Sequence, residues 1–134
     1  MHIMISQNVL TEVINFMESK ELVHIIAEAC DDKRAEDIIV LDMNQVSLVA
    51  DYFLICHASN ERLVQAIARS IKDAMDERDI VVNRVEGYEQ ARWALVDVGD
   101  VVCHVFHKEE RGYYNLERLW GDASRVPLNI GKEE

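Results

Sequence analysis

The sequence has few residues that break or loosen a fold. Its 134 residues include a single proline, Pro127, and five glycines that never cluster. A glycine-rich phosphate loop and long flexible linkers are therefore excluded. With 49% hydrophobic and 29% charged residues, the composition is that of one folded domain and not of a disordered chain.

Basic residues are also scarce. The chain has 14 Lys and Arg against 25 Asp and Glu, which gives a formal net charge of -11. This negative charge opposes binding to a phosphate backbone, so we expect no direct contact with nucleic acid. A basic protein surface is the kind of partner that the charge favours.

Cysteines are few, and long apolar runs are missing. Cys30, Cys56 and Cys103 are odd in number and widely spaced, so we expect buried thiols in a reducing compartment and not a disulfide framework. No run approaches the ~18 apolar residues of a membrane span, and residues 1–16 lack the features of a signal peptide. We therefore expect a cytoplasmic protein that does not contact membranes.

Helical spacing dominates the first part of the chain. The apolar residues of 10–17 are out of phase with those of 22–29, which predicts an interruption near Ser19 and Lys20. We expect residues 1–21 to form an N-terminal extension that includes the start of the first helix.

The remaining patterns alternate between strand and helix and predict an α/β or α+β domain, with helices packed against a mixed five-stranded sheet. Ser59 or Asn60 is expected to cap a helix with a clear apolar stripe. A last short helix is expected to stop at Gly121, before an irregular acidic tail over residues 124–134. Strands are predicted at residues 38–43, 51–58 and 80–86 and in a hairpin that turns at Gly99-Asp100.

Two groups of residues have the chemistry of a metal or catalytic site. Cys103, His104 and His107 are possible zinc ligands, but consecutive strand residues point to opposite faces, so a core cysteine beside a partly exposed histidine is the simpler interpretation. Asp97 and Asp100 are a carboxylate pair suited to magnesium, although local turn roles explain both. A nucleotidyltransferase-like enzyme using this pair is the alternative function; we predict no metal and no cofactor.

The strand around Trp93 suggests a binding surface. Trp93, Leu95 and Asp97 share one face of the strand, while Ala94 and Val96 share the other. An indole, a leucine and a carboxylate in a row have the composition of a protein-binding hot spot with a charged rim. The pattern alone fits a core position for Trp93 equally well.

Three collinear segments resemble the Iojap/RsfS family, whose members share an ADYF-type strand, a W-x-L-x-D-x-G-D-V-V-x-H-x-F run and a YY-x-LE-x-LW motif. The resemblance covers residues 22–123, which we take as the family-like domain. This chain has His57-Ala58 where many members have Thr-Gly or a nearby glycine. The segments are VADYFLICHASNERLVQAIARSI, EGYEQARWALVDVGDVVCHVF and RGYYNLERLWGDA.

The resemblance implies a ribosomal silencing factor and not an enzyme. Such a factor binds a basic protein of the large ribosomal subunit, the one numbered fourteen in that series, and blocks joining of the two subunits when nutrients are limiting. The implied fold is similar in outline to nucleotidyltransferases but lacks their catalytic motif. Whether the free protein is a homodimer stays open. The resemblance places the partner contact on Trp93, Ala94, Leu95 and Asp97 and also on Tyr113, Tyr114, Glu117 and Trp120.

Overall fold

The computed structural model describes residues 7–128 and 130, with side chains for residues 19–112, 115–128 and 130. Within these residues, helices and strands alternate largely in the predicted order. The elements are α1 (Gln7–Asp32), β1 (Glu36–Asp42), β2 (Tyr52–Ala58), α2 (Glu61–Asp76), β3 (Arg84–Glu86), β4 (Trp93–Asp97), β5 (Val101–His107), α3 (Lys108–Tyr114), α4 (Leu116–Leu119) and β6 (Ser124–Arg125).

The strands form one mixed sheet, which confirms the predicted fold class. Across the described residues, the sheet has six strands in the order β3-β4-β5-β2-β1-β6. β2 and β5 pair in parallel, and the other neighbouring strands pair antiparallel. A parallel pair cannot be joined by a tight turn, so the chain crosses over between them through α2 and the β3–β4 hairpin.

The sixth strand comes from the segment that we expected to be irregular. In β6, Ser124 pairs with Asp42 and Arg125 pairs with Leu41. The Val126 amide then donates to the Val40 carbonyl at 2.8 Å. A strand of two residues is too short to produce an alternating pattern, which is why the sequence did not reveal it.

The first helix is continuous where the sequence predicted an interruption. α1 runs through Ser19 and Lys20, so that prediction is wrong. A change of phase moves the apolar stripe around a helix but breaks no backbone hydrogen bond. Residues 1–6 of the predicted extension lie outside the described residues. Although α1 has 26 residues, neither it nor any other helix in the described part of the chain is long and apolar enough to cross a membrane.

α2 is the amphipathic helix that the sequence predicted. Asn60 is its N-cap, and the Asn60 side chain accepts a hydrogen bond from the Leu63 amide at 2.9 Å. α1 and α2 pack against the same side of the sheet, which we call the helical face. All three cysteines are buried there, as expected. The residues that α2 buries are Val64, Ile67, Ala68, Ile71 and Met75.

The predicted last helix is divided into α3 and α4. Asn115 separates them because it adopts a left-handed conformation, with φ of 46°. Its side chain also accepts from the Arg118 amide at 3.3 Å and so caps α4. Asparagine tolerates this conformation and is a favoured cap, so one residue both ends α3 and starts α4. The Gly121 amide donates to the Arg118 carbonyl at 3.2 Å, close to where the stop was predicted.

Gly87 is the glycine on which the β3–β4 connection depends. Its φ is +73°, and a Cβ at this position would lie 2.1 Å from the Trp93 carbonyl oxygen. We expect Gly87→Ala to lower the free energy of unfolding by at least about 2 kcal/mol, because a left-handed alanine is strained and the clashing atom belongs to the backbone. Urea denaturation measures this loss.

Gly112→Ala is the matched control for this prediction. Gly112 lies in α3, and among the described residues no heavy atom outside its own helix backbone and chain neighbours lies within 4 Å of the position its Cβ would take. Alanine in a helix is favoured over glycine by about 0.5–1 kcal/mol, so this variant should be neutral or slightly more stable. An equal loss of stability in the two variants would contradict the argument from strain.

Candidate partner-binding face

β4 shows the alternation that the sequence predicted. Ala94 and Val96 are fully buried on the helical face, whereas Trp93, Leu95 and Asp97 are half-buried on the opposite side of the sheet. Trp93 is thus neither a core residue nor a freely exposed one. Ala94 was a predicted contact residue, but its side chain lies in the core and is not accessible to a partner.

Aromatic rings cross the sheet from Trp93 to Trp120. The ring centroids of Trp93 and His104 are 5.9 Å apart, those of His104 and Phe53 are 4.7 Å apart, and those of Phe53 and Trp120 are 6.0 Å apart. Trp93 also stacks on the buried ring of Phe106 at 5.0 Å. We call the surface formed by Trp93, His104, Phe53 and Trp120 the aromatic face.

This arrangement joins residues that the sequence did not connect. Trp93 and Trp120 were both predicted contact residues, and the structure places them at the two ends of one surface. Phe53 was missed, although it belongs to the ADYF-type strand of the family motif and alternates with the buried Tyr52 and Leu54. The side chains of Tyr113 and Tyr114 lie outside the described residues.

His104 connects the centre of the aromatic face to the tryptophan. The Trp93 indole N–H donates to Nδ1 of His104 at 3.1 Å. An indole nitrogen only donates, so Nδ1 must be the unprotonated nitrogen and Nε2 must carry the proton. Nε2 is buried and has no hydrogen-bond partner among the described residues. The sequence predicted a partly exposed histidine here, whereas the structure buries it because rings cover it on both sides.

Arg111 fastens α3 and α4 to the rest of the domain. Its guanidinium donates to Glu117 at 2.7 Å, to the Asp37 carbonyl at 2.7 Å and to Nδ1 of His57 at 2.9 Å. Asp37 lies at a register irregularity of β1, where its carbonyl accepts from Arg111. Burial and the charge of Arg111 lower the pKa of His57, which keeps Nδ1 available as an acceptor.

The ion pair between Arg111 and Glu117 is largely shielded from solvent. The Arg111 side chain is 12% exposed and the Glu117 side chain is 19% exposed. Glu117, a predicted contact residue, is therefore engaged inside the molecule, where it helps to hold α4 in position. Trp120 follows directly after α4 and reaches Phe53 as a result.

A second arginine ties the start of β4 to two helices. Arg92 bonds Glu61 at 3.2 Å, Glu109 at 2.9 Å and Glu110 at 2.7 Å. Its carbonyl accepts from the His107 amide at 2.9 Å. These bonds surround the residue that precedes Trp93, so they restrain the backbone that carries the indole.

Of the two aspartates considered for catalysis, Asp97 uses its carboxylate in local structure and Asp100 uses its backbone carbonyl. Asp97 accepts from the Gly99 amide at 2.8 Å and pairs with Arg84 at 3.3 Å. The Asp100 carbonyl accepts from the amides of Asp51 and Tyr52 at 2.9 and 3.0 Å. Both aspartates thus take part in the turns and strand ends around them.

The residues considered for zinc are separated by the sheet. Cys103 lies on the helical face and His104 on the aromatic face. His107 caps α3, since its Nδ1 accepts from the Glu109 amide at 3.2 Å. In the part of the chain that the structure describes, no group of three or more His, Cys, Asp or Glu residues is arranged to hold a metal ion.

Comparison with known proteins identifies the family. The model of the family described as "Ribosomal silencing factor during starvation", RsfS, matches residues 17–134. The chain belongs to this family. The ribosomal silencing factor RsfS of Bacillus subtilis is 61% identical over 118 residues, which cover 88% of this chain and 100% of that protein. The chloroplastic Iojap protein of Zea mays is 30% identical over 103 residues, or 77% of this chain and 45% of that protein.

Solved structures of similar proteins have the same fold. A crystal structure from Bacillus halodurans has a TM-score of 0.74 at 53% identity and covers 81% of this chain and 99% of that one. An X-ray structure from Chromobacterium violaceum has a TM-score of 0.76 at 32% identity and covers 85% of this chain and 94% of that one. The family predicted from the sequence motifs is confirmed.

The buried histidine of the aromatic face predicts a specific dependence of stability on pH. Burial lowers the pKa of His104 from 6.5 to about 4. Between these two values the unfolded chain binds a proton at His104 that the folded chain does not. The contribution of His104 to the free energy of unfolding is therefore fully present above about pH 6.5. It decreases by ~3 kcal/mol as the pH falls towards 4.

Urea denaturation of the parent and of His104→Phe across this pH interval measures the effect. Phenylalanine keeps a ring in the same place and cannot take up a proton, so the variant should lose less stability on acidification than the parent. Other titrating groups contribute to the pH dependence of both proteins, so the difference between the two slopes of stability against pH isolates the contribution of His104. Parallel slopes in the two proteins would show that His104 is not held neutral by burial.

Proposed function

We propose that the aromatic face binds a basic protein of the large ribosomal subunit and that the bound factor blocks joining of the small subunit. Membership of the ribosomal silencing family is the observation that carries this proposal. The action takes place in the cytoplasm and represses translation under nutrient limitation. It is binding without catalysis, which is supported by the structural role of the Asp97 carboxylate, bonded to the Gly99 amide and paired with Arg84.

The chemistry of the aromatic face supports a protein partner. Trp93, Phe53 and Trp120 are half-buried on one surface, and tryptophan is among the residues that dominate the energetics of protein interfaces. Leu95 and Asp97 continue the same side of β4. Apolar rings beside a carboxylate suit a partner with an apolar centre and a basic rim.

The rigidity of the face supports tight binding. Trp93 stands on a strand in the interior of the sheet, and its indole is oriented by the bond to His104. Side chains that are already ordered lose little conformational freedom when a complex forms. The net charge of -11 adds attraction to a basic protein and repulsion from bare RNA.

The proposed mechanism predicts an effect on subunit joining. Purified protein mixed with isolated large subunits before small subunits are added should lower the yield of joined ribosomes, because the bound factor occupies the joining surface. Light scattering follows the joining, and sucrose-gradient sedimentation measures its extent. If a large molar excess of protein leaves both the rate and the extent unchanged, the mechanism is wrong.

The proposed contact predicts a split between binding and stability at Trp93. Trp93→Ala should weaken binding to large subunits by at least about thirtyfold, the size of an interface hot spot. Since Trp93 is half-buried and stacked on Phe106, we also expect ~2 kcal/mol of lost stability, less than the ~3–5 kcal/mol of a fully buried tryptophan. Co-sedimentation with large subunits and thermal denaturation measure the two effects.

Two further variants on β4 complete this experiment. Val96→Ala, on the helical face, should lose stability and keep its affinity at temperatures where it is folded. Asp97→Asn keeps an oxygen acceptor for the Gly99 amide but removes the charge, so its affinity should fall most at low salt. If Trp93→Ala binds large subunits as tightly as the parent protein, the assignment of this face is refuted. An equal loss of affinity in folded Val96→Ala would refute it as well.

A further inference from the structure

The loop between β1 and β2 presents two apolar side chains to solvent. Leu48 is 105% exposed and Val49 is 81% exposed, the highest values among the exposed large hydrophobic residues that the structure describes. A single exposed aliphatic side chain is ordinary on a protein surface. Two adjacent ones at a loop tip form a small apolar surface that contributes little to packing within the domain.

Hydrogen bonds hold this loop in a defined shape. The amides of Val46 and Ser47 donate to the Met43 carbonyl at 3.0 and 2.8 Å, and the Val49 amide donates to the Ser47 hydroxyl at 3.1 Å. The Met43 amide bonds the Asp51 carbonyl at 2.8 Å, which closes the base of the loop. An apolar tip on a preformed loop binds a partner at a low cost in conformational entropy.

The loop stands at the border of the aromatic face. Val46 packs in the same apolar cluster as Phe53, Trp93 and Trp120. Leu48 lies only two residues further along the chain. The loop tip is therefore close in the sequence to a residue of the aromatic cluster, within the expected range of a partner seated on the aromatic face.

Three carboxylates lie close together at the base of the loop. Asp42 and Asp51 flank it, and the Asp100 carbonyl binds the amides of Asp51 and Tyr52. The three carboxylates are near enough to interact, since burial and then the charges of Asp100 and Asp42 raise the pKa of Asp51. Among the described residues, none of the three has an ion-pair partner. This uncompensated charge favours lysine and arginine and opposes phosphate groups.

We propose that Leu48 and Val49 form a second apolar contact of the docking surface and insert into an aliphatic socket, rimmed by lysine or arginine, on the basic protein that the aromatic face binds. The identity of that partner rests on the proposed function. The aromatic face and the loop tip then contact one partner at two separate points. A second copy of this chain is a poorer occupant because its own carboxylates would approach those of the first.

The double variant Leu48→Ser/Val49→Ser tests this contact. Its binding to isolated large subunits, measured by co-sedimentation, should be at least about tenfold weaker, as expected for the loss of a buried aliphatic anchor. Its thermal midpoint should match that of the parent, because both side chains are exposed in the free protein. Val81→Ser is the matched control, since Val81 is 75% exposed on the approach to β3, and its affinity should be unchanged.

The outcomes separate this inference from the proposed function. If the double variant binds large subunits as tightly as the parent while Trp93→Ala binds weakly, the loop contact is overturned. The aromatic face then remains the binding site. Failure of the parent itself to bind large subunits would overturn the proposed function. Sedimentation velocity of the free proteins measures self-association. If the double variant changes self-association but not binding to large subunits, the loop tip contacts a second copy of this chain and the inference is wrong.

Discussion

The parallel pairing of β2 with β5 determines the layout of the domain. Parallel neighbours require a connection that leaves the sheet and returns across one of its faces, and α2 is the main part of that connection. α1 packs beside α2, so both long helices cover the same face. Of the helices that the structure describes, α3 and α4 lie on the opposite face, and with seven and four residues they are too short to cover it.

Because helices cover this second face of the sheet only in part, the same side chains both stabilise the domain and form its candidate binding site. Phe106 is fully buried on the less covered face, under Trp93. His104 is buried between Trp93 and Phe53. Each outer ring shields an inner one and keeps its own far side in solvent. The rings thus replace a missing layer of helix and at the same time present an apolar surface.

The parts of this arrangement that follow a period along the chain could be predicted from the sequence. Alternation in β4 and the apolar stripe of α2 are of this kind. The bond between Trp93 and His104 and the contact between Phe53 and Trp120 could not be predicted, because they depend on which strands are neighbours and on where α4 is held. Arg111 determines the latter through bonds to residues 54 and 74 positions away in the sequence. Contacts between residues so far apart in the sequence leave no periodic pattern from which they could be predicted.

The fastening of α3 and α4 has a consequence for the local stability of the domain. Of their described side chains only Leu116 is buried, so the polar bonds of Arg111, and those of Arg92 to Glu109 and Glu110, contribute much of what holds the pair. Segments with little buried apolar surface open at a lower free energy than the sheet beneath them. We therefore expect α3 and α4 to open more readily than the central sheet, which would expose Leu116 and loosen the apolar cluster that it shares with Leu41.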